Sequence, residues 1–337
     1  MVSDLSVPRK RAADFSLGFS VILLFLLPSL LFVAGNFSSL AFGVLLASLL
    51  VLVINLKIVL NFRFYPIYLA VYALFFFLIL HACVAFLVSG EEKPLFSSVI
   101  FVVFISAMCL GQKVEQLSYQ TLENTLYLTI FILFALGWLK LFWTPGLLGY
   151  GQLEKPVFPF SEESHFALAV GLLSCGVVYT ISLKKAFFIV SNIIFLAISY
   201  PNMTLLVFGL LCLFLTLTRF QPLAFWAFAA LALLTCLGGA VIFIDELEYF
   251  TSRLDFVDTK NLTTLVYLQG WGLAFLNFLD TDGLGIGFQL LGESGTTYPS
   301  FTDKIVMLTG RNFNTEDGGF LAAKLIAEFG VVALIGL

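Results

Sequence analysis

Apolar residues fill most of this chain in long blocks, broken by short polar connections. Nine blocks precede the C-terminal one: Phe15–Ala34, Ser38–Leu56, Phe64–Val88, Leu95–Leu110, Asn124–Trp143, His165–Leu183, Ala186–Ser199, Asn202–Thr218 and Pro222–Ile244. Each is long enough, or nearly so, to cross about 30 Å of hydrocarbon as a helix. A tenth begins near Gly319 and is still running at Leu337. Inside lipid every backbone polar group must be satisfied within the chain, so these blocks predict helices rather than open strands. The pattern is that of an all-α, polytopic transmembrane bundle of about ten or more helices, forming a single integral membrane domain over residues 1–337. The first block follows a short polar head carrying Arg9, Lys10 and Arg11. It exceeds the apolar core of a secretory signal and no small-residue cleavage site follows, so it reads as an uncleaved first helix. The blocks 186–199 and 202–218 are short and meet at Tyr200-Pro201, which predicts a tight helical hairpin.

Two polar intervals stand out, residues 144–164 and 245–318. Their side of the membrane follows from lysine and arginine usage, since short cytoplasmic connections collect both. With the N-terminus inside, Arg9, Lys10, Arg11, Lys57, Arg63, Lys113, Lys184, Lys185 and Arg219 all fall in inside connections. Of the 21 acidic residues only Asp4, Asp14, Glu115 and Glu123 join them. Both polar intervals are therefore expected outside the cytoplasm, the larger one being a long extracytoplasmic loop with short interfacial helices.

Composition narrows the class further. Hydrophobic residues make up 60% of the chain and charged ones 11%, against about a quarter charged in soluble domains. A mean hydropathy of +1.04 agrees with a multi-pass membrane protein. All five cysteines lie inside apolar blocks and read as small buried hydrophobes. With two histidines and no paired CxxC, neither a zinc site nor any other cofactor is expected, and no nucleic-acid partner.

Candidate chemistry gathers at the outer boundary. Ser161–Ala167, SEESHFA, carries Glu162, Glu163 and His165 where the smaller interval re-enters the membrane. Serines flanked by acids suit a helix N-terminus, while ionisable groups at membrane depth are costly and tend to be functional. Arg253, followed by Asp255 and Asp258, falls near the outer headgroup plane, where a planar guanidinium can bind pyrophosphate in bidentate fashion. Leu262–Leu279 would suit a helix lying in the interface, with Tyr267 and Trp271 as belt aromatics. Gly283, Gly285 and Gly287 lack the context of a phosphate-binding loop and read as a tight turn. Thr309–Gly319 packs Arg311, Asn312, Asn314, Glu316 and Asp317 together before the last block, either as a helix cap or as a phosphate clamp beside a base. His81 reads more as a histidine hydrogen-bonded inside the bundle than as a catalytic one, and stays a weak candidate.

SEESHFA before a helix, a long outside loop opening near an arginine, VYLQGW followed by LGIGF, and NTEDGGF…AEFG before the last helix together resemble the bacterial O-antigen polymerases. These belong to a wider polymerase and ligase group of polytopic glycosyltransferases. The resemblance covers roughly Pro145 onward. It implies a GT-C-like architecture in the bacterial inner membrane and polymerisation of polyprenyl-pyrophosphate-linked oligosaccharides on its outer face, with a chain-length regulator as a further partner. Arg253 and Arg311 would then bind pyrophosphate, and Glu162, His165 or Asp317 would act on the acceptor. Gln269, Asn314 and Glu316 would contact the rest of the substrate. The ligases carry a late loop histidine where this chain has Arg311-Asn312, which favours polymerase over ligase. A flippase is the alternative from another class, and the crowding of ionisable residues at the outer face speaks against it.

Overall fold

The computed structural model describes residues 6–37, 39–63, 65–143, 146, 149–220, 260–293, 299–313, 315 and 318–336. The block at 222–244 and Arg253 lie outside the described residues, as do Asn314, Glu316 and Asp317. The described residues are helical, without strands: α1 (Ser6–Val33), α2 (Leu40–Ile54), α3 (Leu56–Leu60), α4 (Ile67–Ser89), α5 (Lys93–Ser97), α6 (Ile100–Glu115) and α7 (Tyr119–Phe142) come first. They are followed by α8 (Glu163–Val178), α9 (Leu183–Ser199), α10 (Met203–Phe220), α11 (Leu262–Asp280), α12 (Pro299–Thr309), α13 (Leu321–Phe329) and α14 (Val331–Gly336).

Among the described residues five segments are long and apolar enough to cross a membrane: Ser16–Val33, Tyr68–Ser89, Lys93–Glu115, Tyr119–Phe142 and Leu262–Asp280. Large side chains such as Leu74, Phe76, Leu80, Leu87 and Val88 stand exposed on α4. An unbroken apolar face of this kind is tolerated against lipid and not against water. The molecule is a helical membrane protein, and its chain forms two compact units, residues 1–63 with 102–242 and residues 64–101 with 243–337.

In the first unit the helices approach through small residues, as in membranes where close van der Waals packing drives association. A Cβ on Gly43 would fall 2.7 Å from the backbone of Pro28, and one on Gly137 would meet the ring of Phe166 at 2.6 Å. Around these contacts Leu133, Phe166, Ile189, Ile193, Leu196 and Leu205 form a closed core. The Tyr200-Pro201 hairpin forms between α9 and α10 as expected. One polar knot is buried with them. Lys113, 6% exposed, donates to Ser16 Oγ and to Asn55 Oδ1 at 2.5 and 2.6 Å. Asn55 Nδ2 in turn donates to Ser20 Oγ. Among the described side chains, the partners of this buried ammonium are neutral oxygens on α1 and at the end of α2.

In the second unit α4, α11 and α13 pack around Ala82, Ala274, Ala323, Ile326 and Phe329. The sequence predicts one continuous apolar helix from about Gly319. The structure has two short ones, broken at Gly330, whose φ of 54° and ψ of −129° no helix accommodates. The break exists because Val331 N–H donates to Gly283 O from outside the helix.

Candidate functional site

The polar segment that precedes α8 is pinned before it reaches that helix. Tyr150, 1% exposed, donates its hydroxyl to Pro159 O at 2.6 Å, and Val157 and Phe160 pair backbone to backbone. Burial pushes the Tyr150 phenol up to about 12. α8 then begins at Glu163, with Glu162 in extended conformation just before it. Neither serine makes a side-chain cap; Ser161 Oγ lies 3.0 Å from His165 Nδ1 and Ser164 donates to Glu162 Oε2 at 2.9 Å. Glu162 is exposed and His165 half-buried. The hydrogen bond at Nδ1 orients the imidazole and leaves Nε2 as its open nitrogen.

The tightest charge contact here joins Glu163 to Lys140, a residue the sequence pattern does not single out. Lys140, in the last turn of α7, is ion-paired with Glu163 in the first turn of α8, both side chains only 12–13% exposed. Each charge sits at the helix end whose dipole favours it. The ammonium also stands 4.3 Å over the ring of Tyr200, in the α9–α10 turn. Tyr200 OH is buried without a hydrogen-bond partner among the described residues. Burial first, and then the negative charge of Glu163, raise its phenol above the ordinary range. Glu163 is thus occupied in holding α7, α8 and the hairpin turn together. Of the two adjacent acids, Glu162 is the one presented to solvent.

The second unit assembles the motifs of the interval 245–318 that are described. VYLQGW lies on α11, and a Cβ on Gly270 would stand 2.0 Å from Gly318 O. Tyr267 stacks on Phe320 at 4.6 Å and Trp271 meets the same ring at 5.1 Å. LGIGF wraps the end of α13: Ile286 N–H donates to Ala327 O, Gly287 N–H to Glu328 O, and a Cβ on Gly285 would lie 2.4 Å from Glu328 O. At Gly285 the requirement for glycine is therefore steric as well as conformational, φ being 82°. The glycine turn expected from the sequence closes on AEFG.

Glu328, 1% exposed, receives backbone N–H groups of Gln289 and Leu291, while Oε1 has no hydrogen-bond partner among the described residues. Lys324 Nζ lies 3.9 Å from Oε1 and 3.3 Å from Gln289 Oε1. His81 Nδ1 accepts Phe288 N–H at 3.2 Å and its ring packs 4.6 Å from Phe329. That agrees with the reading of His81 as a bundle histidine, and as an acceptor at Nδ1 the neutral ring carries its proton at Nε2. The signal for Glu328 was available in the sequence, since it is the one carboxylate inside the last apolar block.

Of the predicted substrate contacts in this unit, Arg311 is exposed, its guanidinium 4.5 Å over Phe313. Gln269 is 2% exposed, and both amide atoms lack partners among the described residues. Glu162 and His165 belong to the first unit, Gln269 and Arg311 to the second. A buried amide without partners costs its full desolvation, while an apolar residue of like shape avoids it. Gln269→Leu is therefore expected to leave the melting temperature in detergent unchanged or higher. A destabilisation above about 1 kcal/mol would mean that the amide is satisfied in the native protein.

Comparison of the chain with models of known families, with characterised proteins and with solved structures returned no match.

Proposed function

We propose that this protein is a membrane glycosyltransferase that polymerises polyprenyl-pyrophosphate-linked oligosaccharide repeats at the outer face of a bacterial inner membrane. The observation that supports this reading is the convergence, in one unit, of three strings that carry the resemblance: VYLQGW meets GGF…AEFG at Gly318 and Gly319, and LGIGF meets it at Ala327 and Glu328. They are separated along the chain, and separate strings of a shared fold are expected to meet.

Outside the cytoplasm a glycosyl donor must arrive already activated, and a lipid pyrophosphate is both carrier and leaving group. In the transfer the acceptor hydroxyl oxygen forms a bond to the anomeric carbon. The bond from that carbon to the pyrophosphate oxygen breaks, its electron pair leaves with the lipid diphosphate, and the hydroxyl proton passes to a base. Arg253 and Arg311 would stabilise the departing charge. Glu162 and His165, with an exposed carboxylate and an oriented ring nitrogen, suit the proton transfer, as would Asp317. Asn314 and Glu316 would contact the sugars, whereas Gln269, 2% exposed, is too buried to reach them. A GT-C-like bundle, a periplasmic long loop and a chain-length regulator belong to the same reading.

Purified protein in liposomes, supplied with a lipid-linked repeat unit alone, is expected to give a ladder of lengthened products. Arg253→Ala should reduce the rate at least about 100-fold. Product formed only when lipid A core is added would replace polymerase with ligase, and an unchanged ladder from Arg253→Ala would remove the proposed pyrophosphate role. The broken α13–α14 segment with a carboxylate buried at the break is a feature transporters share. It favours a flippase as the second reading, which movement of the lipid-linked unit across the vesicle without lengthening would establish.

A further inference from the structure

The serines of SEESHFA are spent in a way that a helix start does not require. A serine in such a place ordinarily gives its oxygen to an orphan backbone N–H. Neither serine does so: Ser164 donates to Glu162 Oε2, and Ser161 Oγ stands 3.0 Å from His165 Nδ1. The second contact is held from both ends. His165 is fixed in the first turn of α8. Ser161, 5% exposed, follows Phe160, whose backbone pairs with Val157 and whose buried ring meets that of Phe166 edge to face at 5.6 Å. Tyr150 ties the same segment down through Pro159 O. The serine oxygen therefore belongs to a rigid support, built from a segment outside the helix that carries the imidazole.

This support decides what the ring can do. Nε2 reaches the surface and bonds no group among the described residues. An imidazole takes up a proton only at a nitrogen that carries none, so Nε2 acts as a base only when the resident proton is on Nδ1. A proton on Nδ1 of a half-buried ring needs an acceptor, and among the described residues Ser161 Oγ is the one within reach. The neighbouring acids differ. Glu162 is exposed and its Oε2 already accepts from Ser164, while Glu163 is engaged by Lys140.

We propose, resting on the glycosyltransferase reading, that Ser161 is a positioning residue that accepts the Nδ1 proton of His165 and so sets Nε2 as the base for the acceptor hydroxyl. The hydroxyl proton passes to Nε2 as its oxygen bonds the anomeric carbon, and the lipid diphosphate departs with the electron pair of the broken bond. The imidazolium keeps its Nδ1–H on Ser161 until Nε2 returns its proton to water. The second histidine of the chain supplies a contrast. His81 Nδ1 accepts Phe288 N–H, which places its own proton on Nε2. The two histidines are thus expected as opposite tautomers.

The first test is spectroscopic and independent of activity. Protein labelled with nitrogen-15 in its histidines is placed in lipid nanodiscs at about pH 9, well above the ordinary imidazole range. Long-range proton–nitrogen spectra separate the tautomers, and His165→Gln assigns the signals. The parent is expected to show one Nδ1–H ring and one Nε2–H ring. Ser161→Ala should lose the Nδ1–H form, and Ser161→Thr, which keeps the hydroxyl, should retain it. In the liposome assay Ser161→Ala should lower kcat about tenfold or more with KM for the lipid-linked unit unchanged, and His165→Gln about 100-fold. Ser161→Thr should recover most of the rate. An Nε2–H tautomer at His165 in the parent overturns the proposal, because Ser161 would then be the donor and Nε2 already occupied. A ladder made at the parent rate by Ser161→Ala or His165→Gln overturns it too, while leaving the polymerase standing. No ladder from the parent would remove the glycosyltransferase reading and this base with it.

Discussion

Gly330→Ala is expected to abolish the native packing of the second unit. Its Cβ would stand 1.9 Å from Gly283 O and 2.6 and 2.7 Å from the carbonyl carbons of Gly283 and Leu284. All three are backbone atoms, so no change of rotamer relieves the contact. The φ of 54° with ψ of −129° is open to glycine and strained for alanine, at about 1–3 kcal/mol. Overpacking a fixed interior adds about 1–3 kcal/mol more. A loss of about 4 kcal/mol is a large fraction of a net stability of about 5–15 kcal/mol. In detergent the variant should elute as aggregate or melt at much lower temperature than the parent. Gly111→Ala is the control, because nothing stands within 4 Å of its Cβ and it lies inside α6. There alanine should be neutral or stabilising by about 0.5–1 kcal/mol. Equal melting of the two variants would show that α13 and the glycine turn do not meet as described.

Separate loss of Lys140 or Glu163 is the other large effect. Each partner solvates the other where water is largely excluded, and removing one strands the remaining charge. Lys140→Met or Glu163→Leu should each destabilise by about 3–5 kcal/mol, whereas the double variant should recover most of that loss. Thermal melting of the four proteins forms a double-mutant cycle whose coupling energy measures the pair. Additive losses of less than about 1 kcal/mol each would place the pair among solvent-screened surface contacts.

The residues that sequence reading selected and those that the structure emphasises differ in an instructive way. Glu162 was preferred over Glu163, and adjacent acids at a helix start cannot be told apart by pattern. Their roles separated only when Lys140, 23 residues away, reached Glu163. The resemblance implies a substrate contact at Gln269, and its burial follows from the face of α11 that meets Gly318 and Phe320. Glu328 lies in a run that reads as ordinary membrane helix; the break at Gly330 comes with the hydrogen bond from Val331 N–H to Gly283 O, 48 residues earlier.

By itself the sequence determined that the chain is helical and built for a bilayer, with the hairpin at Tyr200-Pro201. Block length and hydropathy are local properties, and lipid leaves the backbone no alternative to helix along such runs. Tertiary structure alone decided which face of α11 is covered, where the last helix breaks and which acid pairs with Lys140. Each of those depends on backbone or charge brought from a distant segment, and in a chain that is apolar nearly throughout, hydrophobicity does not distinguish a face turned to lipid from one turned to protein.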